Sequence, residues 1–350
     1  MKRVAAACAG ACLALACRRA PPIEATPLPV AITDVEPSPE VRVTPPSDAP
    51  AAPPPSPASR AGDLERALVG ARVLRLDAAS DRDRRDGRFD AEVEGDAIPK
   101  GGRAIVEIAT AKAPVAWKGR LAFHRLAAAI GADLVPACVA RDLPVGRLGA
   151  WLANDGASLA FAKTDARVRN DGTVAALVFT PDSAAGGEPW TAPRVRPVDA
   201  RSYEAGRWAV AAASEAPTRE DAAARDYVMW IALDYLAAVT VRPHLFVTQA
   251  APSRLVLFDN EYAFPVRPSI ESMSSNLHRL RAVRRFPRAL RDGLAALDPA
   301  RERELFTGGA FDGWLLAPRG VVELDQRRLA VLSLVEAEIA ARGEAAVLVP

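Results

Sequence analysis

Cysteine is scarce in this 350-residue sequence, because three of its four cysteines lie within the first 17 residues and only Cys138 follows them. A single thiol excludes both a disulfide framework and a zinc site built from cysteines. An excess of one charge is also lacking, since 45 basic and 43 acidic residues leave a formal net charge of +2. The composition therefore gives no reason to expect nucleic-acid binding.

The chain also lacks the short motifs of the commonest nucleotide and hydrolase sites. It has no P-loop, no G-x-G-x-x-G loop and no G-x-S-x-G turn for a nucleophilic serine. Its three histidines are far apart in sequence, without the His-Glu-x-x-His spacing of zinc proteases. Half of the residues are hydrophobic, which is enough for a soluble core. The function must therefore be inferred from longer segments.

The N-terminus has the features of an export signal. Lys2 and Arg3 precede an apolar run from Val4 to Ala16. This run is too short to span a bilayer, and its length suits the core of a signal peptide. Residues 1–17 are therefore predicted to be a signal peptide.

The residues that end this signal predict lipid attachment. The run Leu13-Ala14-Leu15-Ala16-Cys17 resembles a bacterial lipobox, whose cysteine is cleaved at its amino side and carries acyl chains. Arg18 stands where aspartate would favour the inner membrane. We therefore predict an exported protein that is lipid-anchored through Cys17 to the bacterial membrane, in the outer membrane and facing the periplasm. Plain secretion, a chance cysteine and attachment at Cys12 remain alternatives.

Proline dominates the next segment, residues 18–61. Thirteen prolines occur between Pro21 and Pro57, among alanine, serine, threonine and acidic residues. The valines in this segment form neither a helical nor a strand pattern. Such a composition predicts a disordered, extended tether that serves as a spacer.

Periodic apolar segments begin near Gly62 and divide the rest of the chain into two parts. Residues 62–185 are predicted to form a small β-rich lobe with a helix at 118–130, and residues 186–350 a mainly helical lobe. The strands of the first lobe are predicted at 72–76, 89–93, 103–108, 134–140, 148–152, 158–162 and 173–179, with a turn at 99–102. The second lobe has predicted helices at 219–238, 275–283, 288–297 and 324–342, and strands at 244–248 and 254–258.

Three segments carry a resemblance to a known family. They are Leu121 to Pro136, Asn170 to Pro181, and Leu233 to Leu236 together with Arg254 to Phe264. These segments resemble a helix and strand, a strand and hinge, and the catalytic helix and metal-binding strand of the secretory-pathway kinases, the Golgi casein kinase and four-jointed group with its bacterial relatives. The resemblance implies an α+β, two-lobed protein-kinase-like fold and a site for ATP with Mg²⁺ or Mn²⁺.

The resemblance also implies which residues would bind nucleotide and metal. Asp259 matches the metal-binding aspartate, although a strand-ending aspartate that caps a turn is an equal alternative. The phosphate-binding lysine belongs on the strand that here carries Glu107, so Lys112 is the nearest candidate cation, against the simpler interpretation of a solvated loop lysine. The glutamate that pairs with this lysine belongs at the start of the next helix, where Gly119 and Arg120 stand.

The catalytic loop departs furthest from the family. The implied catalytic aspartate falls on Val241, with Arg242 at the following arginine. Valine neither accepts a proton nor orients a hydroxyl, and phosphoryl transfer depends on such charged groups. His244 is a candidate replacement base, although a histidine that opens a strand is more often structural.

These substitutions predict a degenerate kinase-like domain, a pseudokinase that binds a protein partner or acts as a scaffold in the cell envelope. Two alternatives remain open. The first is an active, divergent ATP-dependent phosphotransferase that uses Asp259 with Lys112 or His244. The second is an envelope-binding lipoprotein that is not related to kinases.

Overall fold

The computed structural model describes residues 60–350, apart from residues 79, 81, 82, 84, 85, 113–115, 153, 154, 181–189, 191–194, 241, 243, 250–252, 259 and 308–314. The described chain has a sheet-rich N-lobe and a mainly helical C-lobe, which confirms the predicted fold class. The predicted signal peptide, nearly all of the predicted tether and the predicted lobe boundary lie outside the described residues. Among the described helices, none combines the length and the hydropathy that a membrane span requires.

Five antiparallel strands form the sheet of the N-lobe. They are β1 (Arg72–Asp77), β2 (Arg88–Gly95), β3 (Ile98–Ile108), β4 (Cys138–Pro144) and β5 (Thr173–Phe179). Their spatial order is β1–β2–β3–β5–β4, so β3 lies in the middle of the sheet. Alternate residues of β2 are buried, whereas β3 is buried without interruption from Ala104 to Ile108. Continuous burial indicates that this end of β3 is covered on both faces, and it contains Glu107.

The predicted hairpin of β2 and β3 is confirmed, but its turn was predicted at the wrong place. The strands are joined at residues 96 and 97, because Gly95 already pairs with Ile98. Residues 99–101 instead lie within β3. They form an irregularity between two paired positions, Ile98 with Gly95 and Gly102 with Val93. Gly101 has φ +77°, a conformation that glycine adopts readily.

Four helices within the described residues accompany this sheet. They are α1 (Arg60–Gly70), α2 (Ala116–Ala129), α3 (Val145–Trp151) and α4 (Gly156–Thr164). The strands predicted at 148–152 and 158–162 were wrong, since these residues lie in α3 and α4. Asp155 caps α4 by accepting hydrogen bonds from the amides of Ala157 and Ser158, at 3.1 and 3.2 Å. Apolar runs of about five residues do not distinguish a strand from a short helix.

The C-lobe is built mainly from helices and has a three-stranded sheet, in the order β6–β7–β8, and a pair of two-residue strands. The helices are α5 (Tyr203–Ala212), α6 (Asp221–Leu236), α7 (Ile270–Ala282), α8 (Arg288–Ala296), α9 (Pro299–Phe306), α10 (Pro318–Arg342) and α11 (Glu344–Val347). The strands are β6 (Val195–Asp199), β7 (His244–Thr248), β8 (Leu255–Val256), β9 (Phe286–Pro287) and β10 (Leu348–Val349). The four predicted helices correspond to α6, α7, α8 and α10.

Most buried side chains belong to two hydrophobic clusters. The smaller one joins the sheet to α1 and includes Leu68, Phe89 and Val106. The larger one joins α2 to the C-lobe and includes Phe123 and Leu233. Because α2 packs into the same cluster as α6, apolar burial holds the two lobes together.

A buried ion pair fixes β8 against α6. Asp226, 1% exposed, accepts hydrogen bonds from Arg254 Nε at 2.7 Å and from the amide of Leu255 at 3.0 Å. Burial raises the pKa of Asp226, and its bonds with Arg254 oppose that rise. The residues that follow β8, among them Asn260 and Glu261, are therefore held next to the helix that the resemblance identifies as catalytic.

Candidate functional site

A buried ion pair occupies the place where the resemblance implies a lysine and a glutamate. Glu107 lies on β3 and Arg120 near the start of α2, and Arg120 Nη1 is 2.9 Å from Glu107 Oε2. Each side chain is 10% exposed. The carboxylate therefore stands on the strand and the cation on the helix, the reverse of the order that the resemblance implies.

The sequence analysis noted Glu107 and Arg120 as two separate departures from the family, but it did not predict that they form an ion pair. Their opposite charges could have indicated this pairing. A lone buried charge is strongly destabilising, so a carboxylate at this place on β3 needs a cation beside it.

Arg120 also joins the N-lobe to the segment that follows β8. Its Nη2 donates a hydrogen bond to Glu261 Oε2 at 3.1 Å. The preceding residue, Gly119, allows this contact, because a Cβ atom there would lie 2.8 Å from the carbonyl oxygen of Ala263. Two carboxylates from different elements thus hold one guanidinium.

Arg242 forms a second buried network on the C-lobe side. Its Nη2 is 2.7 Å from Asp234 Oδ1 and its Nε is 3.0 Å from Asp234 Oδ2. Nη2 also donates to Asn260 Oδ1 at 3.0 Å, and the guanidinium lies 5.5 Å from the centre of the Phe123 ring. The indole of Trp230 donates a further hydrogen bond to Asp234 Oδ2 at 2.6 Å. Arg242 thus connects α6, α2 and the segment after β8, as a positioning residue would.

The other predicted site residues are not brought into these networks by any contact that the structure describes. Lys112 is exposed, beyond the end of β3. His244 opens β7, where it pairs with Asp199, and only its backbone is described. Val241, Asp259 and Cys17 lie outside the described residues. Their assignments stay predictions.

A small cavity lies between the lobes beside these networks. It measures about 20 Å³ and is lined by Arg120, Leu177, Phe179, Leu257 and Phe258 among the described residues. Sites for small molecules and cofactors usually measure about 300–1,000 Å³. This cavity is therefore too small to be a ligand site as it stands.

The described polar groups in the cleft do not fit a metal ion that bridges phosphates. Such an ion needs free oxygen ligands, chiefly carboxylates. The carboxylate of Glu261 is bonded to Arg120 instead, and the amide oxygen of Asn260 to Arg242. No cluster of three or more histidine, cysteine or acidic side chains in the described ranges could hold a metal.

A larger, polar cavity lies on the C-lobe side of Arg242. Its volume is about 520 Å³, and its walls include Arg201, Trp230, Thr240, Ser275 and Arg279. The guanidinium of Arg279 lies over the Trp230 ring, 5.7 Å from its centre. Room for a ligand is therefore greater beside α6 and α7 than between the lobes.

No protein-family profile and no curated protein matches the chain. Solved structures do. Hydra Fam20, solved with sugar, matches with a TM-score of 0.56 and 13% identity, over 84% of this chain and 93% of that chain. The Golgi casein kinase matches with a TM-score of 0.55 and 14% identity, over 83% of this chain and 78% of that chain. The Golgi casein kinase with Mn/ADP bound matches with a TM-score of 0.54 and 13% identity, over the same shares. The chain therefore has the two-lobed, kinase-like fold of the Fam20 and Golgi casein kinase structures.

Proposed function

We propose that this chain is a pseudokinase, a kinase-like domain without phosphotransferase activity that binds a protein partner or acts as a scaffold in the bacterial envelope. The observation that carries the proposal is the reversed ion pair of Glu107 and Arg120. Phosphoryl transfer needs cations on the phosphates and free carboxylates on the metal. Here the strand presents a carboxylate, which repels phosphate, and the cation is held by two carboxylates.

Two further features support the proposal. The described cavity between the lobes, about 20 Å³, is far smaller than a usual small-molecule site. The sequence places Val241 where the resemblance implies the catalytic aspartate, and an aliphatic side chain cannot accept a proton from the acceptor hydroxyl. Room to bind a ligand exists instead in the polar cavity beside Arg242.

Nucleotide is expected to leave the stability of the chain unchanged. The full-length protein would be heated with and without ATP, in Mg²⁺ and separately in Mn²⁺, and its Tm compared. A ligand at a hundred times its Kd stabilises the folded state by about 2.7 kcal/mol, which is readily measured as a rise in Tm. The Golgi casein kinase serves as the positive control under the same conditions.

A nucleotide-dependent rise in Tm would contradict the argument from the small cavity between the lobes. Transfer of labelled phosphate from ATP that is lost in Asp259→Ala would overturn the proposal itself. That result would establish the alternative, a divergent phosphotransferase that uses Asp259 with Lys112 or His244.

We also propose that the domain is exported and held to the outer membrane, facing the periplasm, by a lipid on Cys17. The Cys17→Ser variant is then expected to move from the membrane pellet to the soluble fraction, because acyl chains and not a membrane-spanning helix supply the attachment. The matched control is Cys12→Ser, which should stay in the pellet. Retention of Cys17→Ser, or release of Cys12→Ser alone, would disprove attachment at Cys17.

A further inference from the structure

A third cavity lies on the N-lobe, and none of the charged residues of the two buried networks lines it. It measures about 700 Å³ and lies between α1, α2 and β4. Its apolar wall is formed by Val69, Leu121, Val139 and Leu315. The volume falls within the range of small-molecule sites, about 300–1,000 Å³.

Two arginines that line this cavity are bonded only to backbone carbonyls. Arg125 Nη1 donates to the carbonyl oxygen of Leu305 at 2.8 Å. Arg141 Nη1 donates to the carbonyl oxygens of Leu68 and Ala71, at the end of α1. Neither guanidinium lies within 4 Å of a carboxylate of the described chain, and their Nε and Nη2 donors make no hydrogen bond there.

The acidic side chains of the same wall already have other partners. Glu65 Oε1 is 2.7 Å from His124 Nε2, and Asp142 is 2.6 Å from Arg169. Burial lowers the pKa of both cavity arginines, Arg125 and Arg141, and the charge of Glu65 partly opposes this at Arg125. A partly buried cation that forms no ion pair is unfavourable, and a bound anion in contact with it would offset this.

We propose that this cavity binds a single-chain amphiphile with an anionic head group, such as a long-chain carboxylate. The head group would accept hydrogen bonds from Arg125 and Arg141. The hydrocarbon chain would lie against Leu121, Val139 and Leu315, where its burial supplies further affinity. The site does not depend on the proposed pseudokinase function, because neither Arg125 nor Arg141 lines the cavity between the lobes.

The cavity is suited to binding and not to covalent chemistry. Its one thiol, Cys138, is buried, and burial raises the pKa of that thiol well above its ordinary range. A neutral, buried thiol is a poor nucleophile and a poor metal ligand. The charged residues of the wall therefore recognise the head group and do not react with it.

The test is a calorimetric titration of the full-length chain carrying Cys17→Ser, so that no attached acyl chain competes. The probe is decanoate, compared with decanol, decylammonium and inorganic phosphate. We expect decanoate to saturate one site and each of the other three to bind at least tenfold more weakly. Decanol and decylammonium lack the anionic head group, and phosphate lacks the hydrocarbon chain, so none of the three can make both contacts.

Two variants locate the site. Arg125→Gln removes one charge and should raise the Kd for decanoate at least tenfold, whereas Arg279→Gln, in the polar cavity beside Arg242, should leave it unchanged. Ala140→Phe places a ring in the cavity without altering either arginine and should abolish binding. If Arg125→Gln fails to fold, Ala140→Phe alone tests whether decanoate binds in this cavity.

The proposal is overturned by any of three results. These are no saturable binding of decanoate, equal affinity for decanol or phosphate, and undiminished binding in Ala140→Phe. None of these readouts involves nucleotide, so failure here and failure of the pseudokinase proposal are separate outcomes.

Discussion

Replacing Arg120 with methionine is expected to lower the free energy of unfolding by about 3–5 kcal/mol at neutral pH. Methionine replaces the aliphatic part of the arginine side chain and removes the guanidinium, so the loss is mainly electrostatic. Without the guanidinium, the buried carboxylate of Glu107 has lost its ion-pair partner and Glu261 has lost its bond across the lobes. Urea unfolding followed by tryptophan fluorescence measures the change.

A matched control separates this effect from a general loss of charge. Arg319 forms an exposed ion pair with Glu323, and Arg319→Met should cost less than about 1 kcal/mol. The double variant Glu107→Gln with Arg120→Met should be less destabilised than Arg120→Met alone, because it leaves no buried charge on β3. A cost below about 1 kcal/mol for Arg120→Met would show that the pair does not hold the lobes together.

The second large effect concerns a buried glutamate in the C-lobe, whose replacement by glutamine should stabilise the chain above pH 7. Glu302 on α9 is fully buried, and neither carboxylate oxygen has a hydrogen bond from the described residues. Arg328 Nε lies 3.4 Å away, but this arginine is hydrogen-bonded to Asp325. Burial, and then the charge of Asp325, raises the pKa of Glu302 from an ordinary 4.5 to about 7.

The direction in which stability changes with pH follows from proton binding at Glu302. Between pH 4.5 and 7 the folded state binds more protons at Glu302 than the unfolded state does, so stability falls as the pH rises through this window. The penalty reaches up to about 3 kcal/mol above pH 7 and is absent below pH 4. Glu302→Gln should therefore be more stable than the parent at pH 8 by up to that amount, and nearly equal to it at pH 4.

Thermal unfolding between pH 4 and pH 8 tests this expectation. Glu304→Gln, an exposed change on the same helix, should shift the whole profile by no more than about 0.5 kcal/mol. An equal or lower stability of Glu302→Gln at pH 8 would show that the carboxylate is ionised in the folded state at little cost.

Much of the fold could be predicted from the sequence, because its long apolar segments exceed the length of a usual strand. The helices α6 and α10 have 16 and 25 residues; buried residues recur at helical spacing in α10, whereas α6 is buried without interruption from Asp226 to Leu236. Alternating apolar residues at 89–93 and 103–108 likewise predicted the hairpin, although β3 is buried without interruption from Ala104 to Ile108. The order of a β-rich part before a helical part then predicted the two lobes.

Short segments and tertiary pairings could not be predicted in the same way. The helices α3 and α4 were predicted as strands, because local caps and packing decide the conformation of so few residues. Arg120 bonds to Glu261, 141 positions further along the chain, and Arg242 bonds to Asn260, 18 positions further along. No spacing rule within one element indicates such a pairing.

The reversed pair also affects how the sequence of such a domain can change over generations. With a lysine at position 107 and a glutamate at position 120, the order that the resemblance implies, the new glutamate would face Glu261, because the side chain at position 120 contacts Glu261. Two carboxylates close together repel each other unless one takes up a proton. The order of charges that the resemblance implies would therefore also require a change at position 261.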